Sequence, residues 1–276
     1  MKVGIITIHN SPNYGACLQS FALYQYLKLQ DYNVEIIDLH RPYHADYKQS
    51  HKYVTYAESM LPLAQRLKRK IKGLINKSKQ QQIPPQKVFN PAIKKIESFN
   101  SQIKLSKPFY GVDELYSNPP QYDIYITGSD QVWNPSQKYC IEPYFLTFVK
   151  QGKRISYASS IGQEFLPNKV AKDYKRWLKY YDAISVREQK AQKLLCALTK
   201  RDIEKVADPT FLLDVNFWQN LSIKPETDNY IMLFTLEKDN NQLSYAKKIA
   251  KESGKRLIVI SQWNNNQDTD SDTRLY

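Results

Sequence analysis

Residues 2–39 read KVGIITIHNSPNYGACLQSFALYQYLKLQDYNVEIIDL. Lys2 to Ile8 form a short apolar run rich in β-branched residues, ended by the polar loop His9 to Tyr14; such a run suits a strand buried in a parallel sheet. From Gly15 to Leu29 the apolar residues Leu18, Phe21, Ala22, Leu23, Tyr26 and Leu27 recur at helical spacing, and Val34 to Leu39 returns to strand character. Strand, helix and strand in one stretch make a βαβ unit. Its parallel strands require a right-handed crossover, which predicts a doubly wound, Rossmann-like α/β sheet.

Further along, the same alternation resumes after an interruption. Strands are expected at Tyr122 to Thr127, Arg154 to Ala158 and Ala183 to Val186, with helices near Asp173 to Tyr181 and Glu188 to Leu198. Asp208-Pro209 closes this first domain, residues 1–213. Past the link Asp214 to Thr227 comes a strand at Tyr230 to Thr235, a helix at Asn241 to Ser253 with Gly254 as its cap, and a strand at Arg256 to Ser261. One βαβ buries too little apolar surface to offset its ordering entropy, so residues 214–262 read as part of a second α/β domain. Residues 263–276, with three Asn in a row and Asp268, Asp270 and Asp272, read as a disordered polar tail.

The interruption is basic. Of a net charge of +13 over 276 residues, Arg41 to Lys107 holds 15 Lys and Arg against Asp46, Glu58 and Glu97, a surplus of 12. This stretch reads as an insertion with one helix, followed by a loop at Lys77 to Gln82 and Pro84-Pro85. No zinc-finger, helix-turn-helix or RNA-binding signature accompanies it, so no nucleic-acid partner is expected. Met60, Leu63, Ala64, Leu67, Ile71, Leu74 and Ile75 share one helix face, while Arg66, Lys68, Arg69, Lys70 and Lys72 occupy the other positions. Such a helix either docks on its own domain with a solvated basic face or lies on an anionic inner leaflet. There is no apolar run long enough to span a membrane and no signal-peptide core, and Cys17, Cys140 and Cys196 offer neither a disulfide framework nor a zinc site. A cytoplasmic protein with reduced thiols is expected, in peripheral contact with the membrane if that helix binds lipid.

Chemistry is expected at the carboxyl ends of the strands, where ligands sit in open α/β sheets. The run YDIYITGSDQVWNP, Tyr122 to Pro135, drives a strand straight into polar residues. Gly128 lets backbone approach a ligand, Asp130 can take a proton from a sugar hydroxyl, and Trp133 offers a flat face to a sugar ring. With equal weight, Asp130 caps the next turn and Trp133 fills the core. Asn13, Tyr14 and Gly15 lie where the first strand meets the first helix, so they either bind an anion or hydroxyl at the helix end or form an ordinary Asn-capped turn. Ser159, Ser160 and Gly162 are a similar small-residue strand end. Arg187, just past a strand, is suited to clamp carboxylate or phosphate, or else to pair with an acid on the following helix. Asp208 reads as a turn starter. His9 lies near the expected cleft; His40, His44 and His51 read as surface residues.

Five segments then carry a resemblance: Gly4 to Leu23, the GSDQVWNP run, KRISYASSIG (Lys153 to Gly162), AISVRE (Ala183 to Glu188) and VADPTFLL (Val206 to Leu213). In this order they resemble the polysaccharide pyruvyl transferases, over most of residues 1–262. The resemblance implies a two-domain, glycosyltransferase-B-like architecture and transfer of the enolpyruvyl unit of phosphoenolpyruvate to a sugar of a cell-surface or exopolysaccharide as a pyruvate ketal. A lipid-linked glycan is one acceptor that fits such a scheme. Carbon 3 of the donor must be protonated, sugar hydroxyls attack carbon 2 and phosphate leaves, so an acid, a base and cations are needed but no metal or organic cofactor. On this basis Asp130 and Arg187 are the expected catalytic residues, and Asn13, Tyr14, Gly15, Gly128, Ser129, Gln131, Trp133, Ser159 and Ser160 the expected substrate-binding residues. The family's second domain supplies a His and basic residues to the donor. After Arg256 this sequence offers only Arg274, which raises a second reading, a truncated, non-catalytic protein that binds glycan or membrane; a third keeps the two-domain sugar-enzyme architecture and makes it a glycosyltransferase using a nucleotide sugar.

Overall fold

The computed structural model describes residues 1–11, 13–42, 44–50, 55–57, 60–62, 65, 91–224, 228–235, 239–261 and 273–275. The helix expected over 60–75 falls outside the described residues except at 60–62 and 65, as do His51 and the loop at 77–85. The chain divides into two compact units, Met1–Val215 and Asn216–Tyr276.

The first unit is an α/β fold built on six parallel strands: β1 (Lys2–Ile6), β2 (Asn33–Ile36), β3 (Ile124–Thr127), β4 (Lys153–Ser159), β5 (Ala183–Val186) and β6 (Glu204–Lys205), in the order β2-β1-β3-β4-β5-β6. Helix α1 (Tyr14–Leu29) crosses from β1 to β2. The next helices are α2 (Pro91–Asn100) and α3 (Val112–Ser117); α4 (Asn168–Leu178) joins β4 to β5, and α5 (Gln189–Thr199) joins β5 to β6. Because the chain winds outward from β1 in one direction and from β3 in the other, right-handed crossovers put helices on both faces, and the winding reverses between β1 and β3.

The basic stretch 41–107 is not wholly an insertion. Its last part completes the first winding: Phe99 of α2 packs on Phe21 of α1 at 4.6 Å between ring centres, and residues 104–109 run beside the outer edge of β2 through bridges Ile36↔Leu105 and Leu39↔Phe109. Counted as a degenerate strand, this segment gives the third-second-first-fourth order of a Rossmann sheet. Interleaved lysines conceal it in the sequence. Ile96, Ile103 and Phe109 are buried, while Lys95 and Lys104 project outward and Lys104 pairs with Glu35 at 2.9 Å.

Helix α1 is buried more widely than an amphipathic reading predicts: Leu18 is 38% exposed, whereas Gln19 and Ser20 are buried. Gln19 is tolerated inside because its amide nitrogen donates to Thr7 Oγ1, to the Ile8 carbonyl and to the Ala16 carbonyl at 3.2, 3.0 and 2.8 Å. The site-bearing tip of β3 rests on an aromatic core. Trp133 is fully buried, stacks on Phe145 at 5.0 Å and 11°, and donates from Nε1 to the Tyr144 carbonyl at 2.8 Å. The same carbonyl accepts from Thr127 Oγ1, and Tyr174 donates its hydroxyl to the Trp133 carbonyl.

After α6 (Val215–Leu221), the second unit holds β7 (Tyr230–Thr235), α7 (Asn240–Glu252), β8 (Arg256–Ser261) and β9 (Thr273–Leu275), three parallel strands in the order β7-β8-β9. Asp239 caps α7 by accepting from Asn241 N at 2.8 Å, and Gly254 follows the helix at φ 62°. A small core of Ala246, Ala250, Leu257 and Val259 lies beneath the helix.

Two outcomes follow from this packing. A Cβ at Gly128 would stand 2.8 Å from Thr7 Cβ, so Gly128→Ala should lose about 1–3 kcal/mol of stability in urea unfolding. Cys17 and Cys140 are buried, and burial pushes both thiols up, Cys140 to about 12, while Cys196 is partly exposed. Iodoacetamide at neutral pH should therefore label Cys196 first in the native protein and all three after denaturation, as read by mass spectrometry.

Candidate active site

A cleft of about 690 Å³ opens at the carboxyl ends of β1, β2 and β3, spanning the point where the winding reverses. Ile8, Ser11 and Asn13 reach it from the end of β1 and the start of α1, Arg41 and Pro42 from beyond β2, and Asp130 and Gln131 from beyond β3, with Ser136 to Tyr139 closing the rim.

Asp130 sits at the centre in an unusual backbone conformation, φ 71°. Its carbonyl accepts from Val132 N at 2.8 Å and Ser160 N at 2.9 Å, and Ser160 returns a carbonyl to Trp133 N at 3.1 Å. Its side chain accepts from Gln131 N through Oδ1 at 2.8 Å. Ala158, at the tip of the adjoining strand, is also left-handed at φ 51°, where the β4–β5 register shifts. Non-glycine residues held this way cost of order 1–3 kcal/mol each and collect at functional sites.

The other expected residues divide into two groups. Asn13 lines the cleft and also caps α1, accepting from Ala16 N at 3.1 Å; Tyr14 and Gly15 are exposed beside it on the first turn. Gln131 is exposed in the cleft. By contrast Gly128, Ser129, Ser159 and Ser160 are buried: Ser129 offers its carbonyl to Thr7 Oγ1 at 2.9 Å, and Ser159 Oγ donates to the Gly128 carbonyl at 2.9 Å. These four hold the strand tips together. Trp133 fills the core and shows no face to a ligand.

Arg187 does not line the cleft. Its main-chain N–H reaches the Ser159 carbonyl of β4 at 3.3 Å, so it stands at the tip of β5, two strands from β3 and Asp130, and its side chain donates to Asp208 Oδ2 at 2.9 Å and Glu188 Oε1 at 3.4 Å. Burial alone would lower the guanidinium, but the Asp208 hydrogen bond and the charges of Glu188, Asp208 and Asp130 hold it above its ordinary value. Asp208 combines two tasks, since its Oδ1 also accepts from Thr210 N at 3.0 Å at the start of the turn Pro209–Leu212.

Sequence reading missed a polar network behind the cleft. Asp38 accepts from His9 Nε2 at 3.1 Å and lies 3.7 Å from His40 Nε2; His40 in turn meets Asp46 at 2.7 Å and packs on His44. His40 and His44 are therefore not free surface residues. Asp38 and Arg41 follow β2 directly, so the strand-end rule applied there would have found them; Arg41 was absorbed into the count of the basic stretch. Burial would raise the Asp38 carboxyl, but the His9 hydrogen bond and the charges of His9, His40 and His44 hold it below the usual carboxylate range. The native protein then resists protonation that the unfolded chain accepts at about pH 3.9, so this contribution to stability is complete above that value and lost as pH falls through the lower folded one. In Asp38→Asn that part of the acid slope should be missing, and its stability deficit against wild type should shrink from about pH 5 to about pH 3 in urea titrations. A deficit that is constant with pH contradicts the assignment.

Among solved structures, Arabidopsis thaliana UGT89C1 complexed with UDP aligns over 98% of this chain and 67% of its own at 13% identity, with a TM-score of 0.29 that carries no argument. No curated protein matches. The model of the polysaccharide pyruvyl transferases, however, matches residues 13–268, from the start of α1 through the second unit's β8, and the chain belongs to that family.

Proposed function

We propose that this protein transfers the enolpyruvyl unit of phosphoenolpyruvate to a sugar of a cell-surface or exopolysaccharide, forming a pyruvate ketal. One observation carries the reading: Asp130 stands in a strained strand-tip turn inside the cleft where the winding reverses. Carbon 3 of the donor takes a proton and becomes a methyl group, leaving carbon 2 electron-poor. A sugar hydroxyl bonds to carbon 2 as its proton passes to a base; the bond from carbon 2 to the phosphate oxygen breaks with the electron pair going to phosphate; a second hydroxyl closes the ketal and gives up its proton.

Asp130 is the base in this scheme. Gln131 N occupies Oδ1, which orients the carboxylate and leaves Oδ2 to meet a hydroxyl. Arg187, at the tip of β5, has Nη1 on Asp208 and Nε on Glu188, so in this scheme it would meet the donor through Nη2. Asn13 holds the acceptor from the α1 side. The basic residues within 60–75 of the sequence favour an acceptor presented on a lipid at the inner leaflet, and in this reading the reaction runs in the cytoplasm beside the membrane.

Phosphate release from phosphoenolpyruvate, measured with a lipid-linked glycan as acceptor, tests the reading. Asp130→Asn should lower release by about 100-fold or more while leaving the circular dichroism spectrum unchanged. Equal release by the variant, or none from wild type with any glycan, rejects it.

A further inference from the structure

Helix α4 and its C-cap Lys179 carry five exposed cations, Lys169, Lys172, Lys175, Arg176 and Lys179. At about 100° per residue they fall within an arc of about 120°, opposite the arc of Val170, Tyr174, Trp177 and Leu178 that is buried in the core. No acid lies within the basic arc. Asp173, the helix's one carboxylate, is partly buried beside it and is taken by the Tyr56 hydroxyl at 2.6 Å and by Arg176 Nη2 at 2.9 Å. Among the described residues, none of the four lysines has a carboxylate partner. Tyr56 belongs to the basic stretch 41–107 and fastens it to this same helix, its ring 6.2 Å from that of Trp177.

A helix face that meets only water gains from mixed charge, and this face has none. Lys172 with Arg176 and Lys175 with Lys179 are like pairs at i,i+4; Lys169 with Lys172, Lys172 with Lys175 and Arg176 with Lys179 are like pairs at i,i+3. Such pairs destabilise a helix. The macrodipole favours the cations of the last turn but not Lys169 in the first, where an acid is favoured and none is present. An anionic layer laid against the helix offsets each of these repulsions.

Two exposed rings mark the ends of the face. Phe165, 65% exposed, precedes the helix and Tyr180, 60% exposed, follows it. A row of cations ended by aromatic rings suits the boundary of a bilayer, where rings enter among the headgroups and lysine stems carry their ammoniums to the phosphates. A second copy of this chain, at a net charge of +13, would be repelled. Nucleic acid is the weaker fit, because four of the five cations are lysines, compact charges without the fork that reads bases and phosphates.

We infer that the outer face of α4, with Phe165 and Tyr180 at its ends, docks the protein on a bilayer containing anionic phospholipid. This surface is distinct from the basic residues within 60–75 of the sequence, and the inference does not depend on the reaction proposed above.

Cosedimentation of the full chain with vesicles tests it. Phosphatidylcholine vesicles containing about 30% phosphatidylglycerol should bind the protein, pure phosphatidylcholine should not, and affinity should fall about tenfold or more between about 0.1 and about 0.5 M salt. Lys172→Gln/Lys175→Gln/Lys179→Gln should lower the affinity about 100-fold. Right-handed crossovers put α4 on the face of the sheet away from α1. Removing the same charge there, in Lys28→Gln/Lys95→Gln/Lys107→Gln, should therefore cost less than about fivefold. Phe165→Ser should weaken binding and leave its salt dependence in place. Circular dichroism checks the fold of each variant, and if the α4 triple variant does not fold, Lys172→Gln alone should lower affinity about fivefold. The inference is overturned if wild type ignores anionic vesicles, if the folded α4 variant binds as wild type does, if the two triple variants lose affinity equally, or if duplex DNA or RNA displaces the protein from the vesicles at equal phosphate concentration. Absence of pyruvyl transfer would reject the proposed reaction and leave these outcomes unchanged.

Discussion

The carbonyl of Asp130, shared between Val132 N and Ser160 N, is the joint on which the site depends. A residue that leaves a strand at φ 71° gives up the regular ladder, and the two acceptances at 2.8 and 2.9 Å replace it. One bond closes the turn upon itself; the other ties it to the tip of β4. Trp133 N then donates back to the Ser160 carbonyl, so the loops beyond β3 and β4 are cross-linked by main chain before any side chain is considered. Hydrogen bonds of this kind contribute about 1 kcal/mol each net, which is the size of the backbone strain they oppose. The left-handed turn is thus sustained by its neighbours and aims the carboxylate across the cleft.

What prevents the joint from relaxing is the aromatic layer under it. Trp133, Phe145, Tyr174 and Trp177 meet at ring separations of 4.6 to 6.0 Å, and the Tyr144 carbonyl collects donors from Thr127, Trp133 and Tyr181. A Trp in such a layer contributes about 3–5 kcal/mol against truncation to Ala. Rotating the turn back into strand geometry would draw Trp133 out of this packing. Core and site are one mechanical unit here, which explains how one run, Gly128 to Pro135, serves both: its buried members anchor while Asp130 and Gln131 face the cleft.

The parts of the fold legible in the sequence were those with uninterrupted apolar runs. Lys2 to Ile8, Tyr122 to Thr127 and Ala183 to Val186 carry strands because both faces are covered, and Asn13 declares the start of α1 by its capping chemistry. Residues 104–109 were not legible, because at this edge only Phe109 is buried while Lys104, Leu105 and Lys107 are exposed, so the segment looks polar. In the site, residue type fixed the candidates but not their orientation. Trp133 and Asp130 are three positions apart, yet one is buried in the core and the other lines the cleft, and the turn at Asp130 decides which. The His9, Asp38 and His40 network escaped for a related reason: its members are spread over β1, the end of β2 and the loop after it, and nothing in their spacing announces that a parallel pairing brings them together.

The two arginines show how environment assigns different tasks to one side chain. Arg187 is bound by carboxylates, Asp208 at 2.9 Å and Glu188 at 3.4 Å, so an arriving anion must share a guanidinium already engaged. Arg41 packs against the rings of Tyr139 and Tyr144, its Cζ 5.2 and 5.8 Å from their centres. Behind it, His44 accepts the Arg41 main-chain N–H through Nδ1, a role that requires that nitrogen to be unprotonated, and burial together with the charges of His40 and Arg41 holds the His44 ring below its ordinary value. Protonating His44 would remove the acceptor and place a second cation beside the guanidinium. His44 therefore supports the Arg41 main chain while its ring is neutral and ceases to do so once it is protonated.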